Sequence, residues 1–166
     1  MESAQRIQRG LRPPVLDAGL VPALQWQSGE FRRATGIDVA FSHHGSEHGL
    51  GNGHAMVLYR TMQESLTNIA RHARARSVRV DLVIDANQAS LEISDDGVGL
   101  PPQALNKPGS FGLRGLSERA LQAGGWIDIS NRAVLTGPDA KTGSGTCILL
   151  LLPLTAPVPG VAEPVS

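Results

Sequence analysis

The chain has 166 residues, with 15 Lys and Arg balancing 15 Asp and Glu. That length fits one domain with a real core and a tail, and the neutral balance leaves no electrostatic footprint for nucleic acid or an acidic membrane surface. The lone Cys147 excludes a disulfide framework and a cysteine-based zinc site and fits a reducing, cytoplasmic compartment; no apolar run reaches membrane-span length and the N-terminus lacks a signal-peptide core. In chain order, residues 1–15 are polar and basic, Pro13-Pro14 stop any helix, and MESAQRIQRGLR reads as the end of something longer. Asp17 is placed to cap a helix over 18–34, with Leu20, Leu24 and Phe31 inward and Gly36 as its stop. IDVAFSH, 37–43, alternates as a strand does, and HHGSEHGLGNGH has the glycines and histidines of a loop. A helix is expected over 54–74. SVRVDLVIDA (77–86) and ASLEISDD (89–96) alternate strictly on either side of Asn87-Gln88, which predicts an antiparallel hairpin. Residues 97–111 are rich in Gly and Pro and predict no regular structure; a helix over 113–123 stops at Gly124-Gly125. WIDISNR, 126–132, is a strand. A glycine-rich hinge, 136–145, leads into TCILLLLPL, whose apolar run belongs at the centre of a sheet. Residues 155–166 are patternless Pro, Ala and Val and predict disorder. The order α, β, α, β, β, α, β, β predicts an α+β fold, helices on one face of a mixed, mostly antiparallel sheet, rather than a doubly wound one.

The most informative stretch is LYRTMQESLTNIARHARA, 58–75. At about 100° per residue, Leu58, Met62, Leu66, Ile69 and Ala73 form a core-facing stripe. Glu64, Asn68, Arg71, His72 and Ala75 fall together on another side. There a carboxylate, a carboxamide and an imidazole repeat at i, i+4 along one ridge, where they can ligate or orient a ligand. An amphipathic helix with a polar rim is the plainer reading of the same pattern.

Three glycine clusters follow. Asp95-Asp96-Gly97-Val98-Gly99 ends a strand; such a carboxylate can be presented into a pocket to accept a hydrogen bond from an amine, with glycines admitting a ring close to the backbone. Ser110-Phe111-Gly112-Leu113-Arg114-Gly115 opens a helix, where free N–H groups and the helix dipole favour an anion. Gly143-Ser144-Gly145-Thr146 leads into the last strand with backbone amides and a hydroxyl. Each cluster taken alone is an ordinary turn or hinge.

Taken in order, they resemble the ATP-binding catalytic domain of sensor histidine kinases, in the GHKL (gyrase, Hsp90, histidine kinase, MutL) superfamily. QESLTNIARHA resembles the N box, DDGVGL the first glycine box, SFGLRGLSERA the second and GSGTCILLLLPL the third. LRPPVLDAGLVPAL resembles the link out of the dimerisation helices in the nitrate-sensor-like subfamily. The resemblance spans roughly 11–154 and departs from the commonest second box at Ser110, where Gly is usual.

The resemblance implies a GHKL fold over 16–154, with 1–15 the end of a dimerisation region or linker. It implies ATP and Mg²⁺ as ligands, Asn68 as the Mg²⁺ ligand, and Glu64 as the acid that positions metal or water. It places Arg71 and His72 near phosphates and ribose, and Asp95 on the adenine amine above a floor shaped by Gly97, Gly99 and Leu100. Gly112, Leu113 and Gly115 are implied beside the phosphates, Thr146 near the adenine, and 100–111 as a short ATP lid in which Lys107 is a candidate contact. The implied partners are a phosphoacceptor histidine on a helical hairpin, a response regulator downstream and a second copy in a full-length homodimer, whose anchoring to a membrane is left open. His43, His44, His48 and His54 sit in the wrong context for that acceptor, so the chain reads as part of a longer sensor that binds ATP without its own phosphoacceptor. An anti-sigma-type serine kinase, another GHKL ATPase with Glu64 activating water, and a non-catalytic interaction domain are the alternatives.

Overall fold

The computed structural model describes residues 12–106, 112–133 and 144–154. The expected tail, most of the 136–145 hinge and the positions Lys107, Ser110 and Phe111 lie outside those residues.

Helix α1, Leu20–Thr35, buries Leu20, Ala23, Leu24, Ser28 and Phe31, a helical stripe that includes the three apolar positions expected inward. The buried Ser28 hydroxyl donates to the Leu24 carbonyl at 2.8 Å, so it costs no unpaired polar group. Gly36 ends the helix in the left-handed region at φ 75°, with its N–H on the Arg32 carbonyl. The start differs from expectation. Asp17 does not cap it: Asp17 lies inside a 3-10 turn, Pro14–Ala18, and the capping position falls on Gly19, which has no side chain to offer. The orphan N–H of Val21 is taken instead by the Glu47 carboxylate at 2.8 Å. That glutamate stands on a second 3-10 turn, Glu47–Gly49, inside the stretch expected to be plain loop.

Helix α2, Asn52–Asn68, runs on into a π turn, Ile69–Ala73, and stops at Arg74 in the left-handed region. Leu58, Met62, Leu66, Ile69 and Ala73 are all buried, as the stripe predicts. Ala75 leaves the ridge. The wider π turn breaks the 3.6-residue period, the helix ends before it, and Ala75 packs half-buried against the core.

The five described strands are β1 (Asp38–His44), β2 (Ser77–Ile84), β3 (Gln88–Asp95), β4 (Trp126–Ala133) and β5 (Ser144–Pro153). Their order is β1-β2-β3-β5-β4, with β1 parallel to β2 and every other pairing antiparallel. The apolar β5 is thus interior, between β3 and β4. The β2–β3 turn is tighter than expected: the Asp85 carboxylate accepts from the N–H groups of Asn87 and Gln88, so pairing resumes at Gln88 rather than at Ala89. Short helix α3, Pro102–Asn106, occupies part of the segment expected to be irregular. Its proline sits at the first helical position, where the missing N–H is no loss. Helix α4, Leu113–Gln122, completes the described helices.

The main core joins α1 and α2 to the inner faces of β2, β3 and β5. A smaller cluster of Leu113, Leu116 and Ile148, with Leu100, Ile127 and Ile129 against it, seats α4. The gap between the two clusters is where the site forms. Glu47→Ala removes the acceptor of the Val21 N–H; it should cost about 0.5–2 kcal/mol, as loss of a helix cap does, read as a lower urea midpoint with unchanged slope.

Candidate nucleotide-binding site

Asp95 ends β3 and is 4% exposed. Its Oδ1 accepts from the Gly97 N–H at 2.8 Å, and the Thr146 N–H bonds the same carboxylate. Burial raises its pKa above the ordinary 3.8; those two donors and the neighbouring Asp96 act on it more weakly. Asp96 does a different task. It accepts from the N–H groups of Arg76 and Ser77 and from the Ser77 hydroxyl, closing the start of β2. Desolvation pushes its pKa up, but these bonds together hold it below the usual value. One aspartate therefore fastens the loop, and the other keeps a carboxylate with spare acceptor sites in a buried place.

Backbone contacts hold that place together. The Val98 N–H donates to the Ala73 carbonyl at 2.8 Å, which lays the DDGVG loop on the end of the π turn. A Cβ on Gly97 would collide with that same carbonyl, and one on Gly145 would collide with the carbonyl of Asp95. These glycines serve close approach.

A pocket opens here, between the end of α2, the DDGVG loop and the start of α4. Ser65, Asn68, Ile69, His72 and Ala73 form one wall, Ile93, Asp95, Thr146 and Ile148 the floor, and Gly99, Leu100 and Leu113 the far side. The structure thus brings Asn68, His72, Asp95, Gly99, Leu100, Leu113 and Thr146 together. Gly97 supports the pocket from behind, through its N–H on Asp95.

Glu64 and Arg71 do not line it. They lie on a neighbouring groove with Arg60, Gln63, Thr67 and Arg119. Glu64 Oε2 accepts from Arg119 Nη1 at 2.8 Å, and its Oε1 faces the first turn of α4. A Cβ at Gly112 would stand 3.2 Å from that oxygen, and one at Gly115 4.0 Å. Gly112, at φ 68°, and Gly115 thus make room for a carboxylate that ties α4 to α2.

Arg119 and Asn131 are absent from the sequence-based set. Asn131, on β4, bonds both backbone groups of Leu100: Oδ1 accepts from the N–H at 2.7 Å and Nδ2 donates to the carbonyl at 2.8 Å. Neither had a local signal, since Arg119 reads as one charge on a solvated helix face and Asn131 as the polar end of a strand. The loop histidines are spread: His43 stacks on Phe41 in β1, while His48 is in a 3-10 turn and His54 in α2. Among the described residues no group of three or more His, Cys, Asp or Glu could hold a metal.

The raised pKa of Asp95 has a pH consequence. The folded chain holds this proton more tightly than the unfolded chain, so stability falls as pH rises from 3.8 through the higher native value, and is regained on acidification. Asp95→Asn keeps an acceptor for Gly97 and Thr146 but cannot ionise. Its thermal midpoint should gain on the wild type as pH rises through that window; equal pH profiles for the two would contradict the assignment.

Comparison with known proteins agrees with this architecture. The family described as histidine kinase-, DNA gyrase B-, and HSP90-like ATPase matches residues 53–156. The signal transduction histidine-protein kinase/phosphatase DegS of Brevibacillus brevis is 33% identical over 156 residues, 93% of this chain and 38% of that protein. The oxygen sensor histidine kinase NreB of Staphylococcus carnosus is 30% identical over 156 residues, 93% of this chain and 42% of its own. The chain therefore spans about two fifths of the length of these relatives. Among solved structures, the Erythrobacter litoralis EL346 blue-light activated histidine kinase superposes with a TM-score of 0.59 at 20% identity, covering 79% of this chain and 40% of that one, and it shares the fold. Asp95 at a strand end, Asn68 and His72 on a facing helix and the glycine-built approaches between them sit on the matched segment, and the chain belongs to the histidine kinase-, DNA gyrase B-, and HSP90-like ATPase family.

Proposed function

We propose that this chain is the catalytic ATP-binding domain of a sensor histidine kinase, delivering the γ-phosphate of ATP to a histidine on a separate helical hairpin. The observation that carries the reading is the buried Asp95 carboxylate, held on one side by Gly97 and Thr146 and facing a pocket that Asn68 and His72 also line. A carboxylate with free acceptor sites suits an exocyclic amine, and Gly99 and Leu100 admit a flat ring beside it. The relatives named as sensor histidine kinases support the choice within the family.

The donor set fits Mg²⁺-ATP. Without a cluster of acidic and imidazole ligands among the described residues, a metal here would take one neutral oxygen from Asn68 and the rest from phosphates and water, as Mg²⁺ prefers. Bound Mg²⁺-ATP supplies the phosphoryl group and offsets its charge. Asn68 and His72 hold the phosphate end, Asp95 and Thr146 the base, and the start of α4 at Leu113 offers helix N-terminal N–H groups. Glu64, paired with Arg119 and outside the pocket, is assigned to holding α4 in place rather than to activating water. The proposed partners are the phosphoacceptor hairpin, a response regulator and a second copy in the full-length protein, all cytoplasmic. No helix among the described residues is long and apolar enough to cross a membrane.

Titration with a fluorescent ATP analogue should show saturable, Mg²⁺-dependent binding; none with or without Mg²⁺ would end this reading. Asp95→Ala should weaken binding by about 1–3 kcal/mol, the cost of an unmet buried polar group, and flatten the preference for adenine over guanine. Given the hairpin of its parent protein in trans with Mg²⁺-ATP, the chain should place acid-labile label on the hairpin, slowly and in proportion to concentration, and Asn68→Ala should abolish it. Acid-stable label on a serine would favour a serine kinase instead.

A further inference from the structure

We propose that Asn131 is a positioning residue of the nucleotide pocket. Its carboxamide acts as a side-chain extension of β4 that clamps Leu100 and so places the wall of the site opposite Asn68 and His72. The inference rests on the nucleotide reading of the pocket.

Leu100 belongs to no strand or helix. The chain reaches it through Gly99 at φ 76°, a conformation that turns the backbone out of the DDGVG loop. An unsupported residue at that point would be free to adopt many positions. Both of its backbone polar groups are instead taken by one side chain, at 2.7 and 2.8 Å, in the paired donor–acceptor pattern that a neighbouring strand would offer. The side chain of Asn131 comes from the same face of β4 as Ile127 and Ile129, which pack under α4, and Asn131 pairs in register with Thr146 on the pocket floor. Floor and wall are therefore fixed to one another through one residue. The Leu100 side chain is held against Leu113 and Ile148, where it closes the pocket on the side of α4.

Other residues do not substitute readily. Aspartate would keep the acceptor for the Leu100 N–H but set a second oxygen against the Leu100 carbonyl. Serine or threonine would reach one group at most. Glutamine keeps both functions on a longer stem. The clamp is exposed to water, so its removal should register locally rather than in global stability.

Hydrogen exchange at the Leu100 amide in the nucleotide-free protein reads the clamp directly, and nucleotide equilibrium and dissociation rate read its effect. In Asn131→Ala, which removes both bonds, Leu100 exchange should accelerate at least tenfold. ATP-analogue affinity should fall roughly three- to tenfold, mainly through faster dissociation, with the thermal midpoint nearly unchanged. Asn131→Gln should recover part of both readouts. Unchanged Leu100 exchange in Asn131→Ala would overturn the clamp. Faster exchange with wild-type affinity would overturn its role in positioning while leaving the nucleotide reading intact. A wild-type chain that binds no nucleotide would overturn both readings, even though its Leu100 exchange still reported the contact.

Discussion

The structure depends most on one buried carboxylate. Removing Asp95 from water is unfavourable, which is why its pKa is raised, and a carboxylate in such a place persists only with donors aimed at it. Two backbone N–H groups serve, one from the loop that follows it and one from β5. Bringing β5 near enough requires Gly145, whose missing Cβ leaves room for the Asp95 carbonyl. The sheet order β3-β5-β4 then places the apolar β5 in the interior and carries β4, with Asn131, to the rim. One electrostatic demand thus sets how closely three segments approach.

Helix α2 serves two surfaces at once. Its buried stripe is the spine of the core, and the adjoining ridge supplies Asn68 and His72 to the pocket. The π turn at Ile69–Ala73 falls where the ridge meets the DDGVG loop, and its Ala73 carbonyl is the acceptor for Val98. A wider turn at a functional helix end is a recurring use of π geometry. Here it presents a carbonyl to the loop while Asn68 and His72 both remain on the pocket wall.

The start of α4 is held without a capping side chain. Gly112 and Gly115 leave space for Glu64, and Glu64 reaches Arg119 on the same helix one to two turns further on. A half-exposed ion pair of this kind contributes little to stability on its own. Its effect is orientational: it fixes the open N-terminus of α4 relative to α2, beside the pocket. Together with the Asn131 clasp on Leu100, it places the two ends of the far wall by side chains from other elements.

Much of this was legible in residue order. Alternation located β1, β2 and β3, the apolar run of β5 predicted an interior strand, and Gly36 and Gly124 marked helix ends, because period-2 and period-3.6 patterns and left-handed stops are local properties. The stripe from Leu58 to Ala73 and the presence of Asn68, His72, Asp95 and Thr146 at one pocket followed from helical spacing and from box order. What residue order left undecided depends on partners distant along the chain. Glu47 caps α1 from 26 positions away and displaces Asp17 from that task. Ala75 leaves the ridge after a π turn whose last carbonyl meets the N–H of Val98, in a loop more than twenty residues later. Glu64 sits in the same repeat as Asn68, yet it faces Arg119, 55 positions on, rather than the pocket. Asn131 finds Leu100 across 31 positions. Spacing along a helix says which side chains share a face, but only the folded chain decides what that face meets.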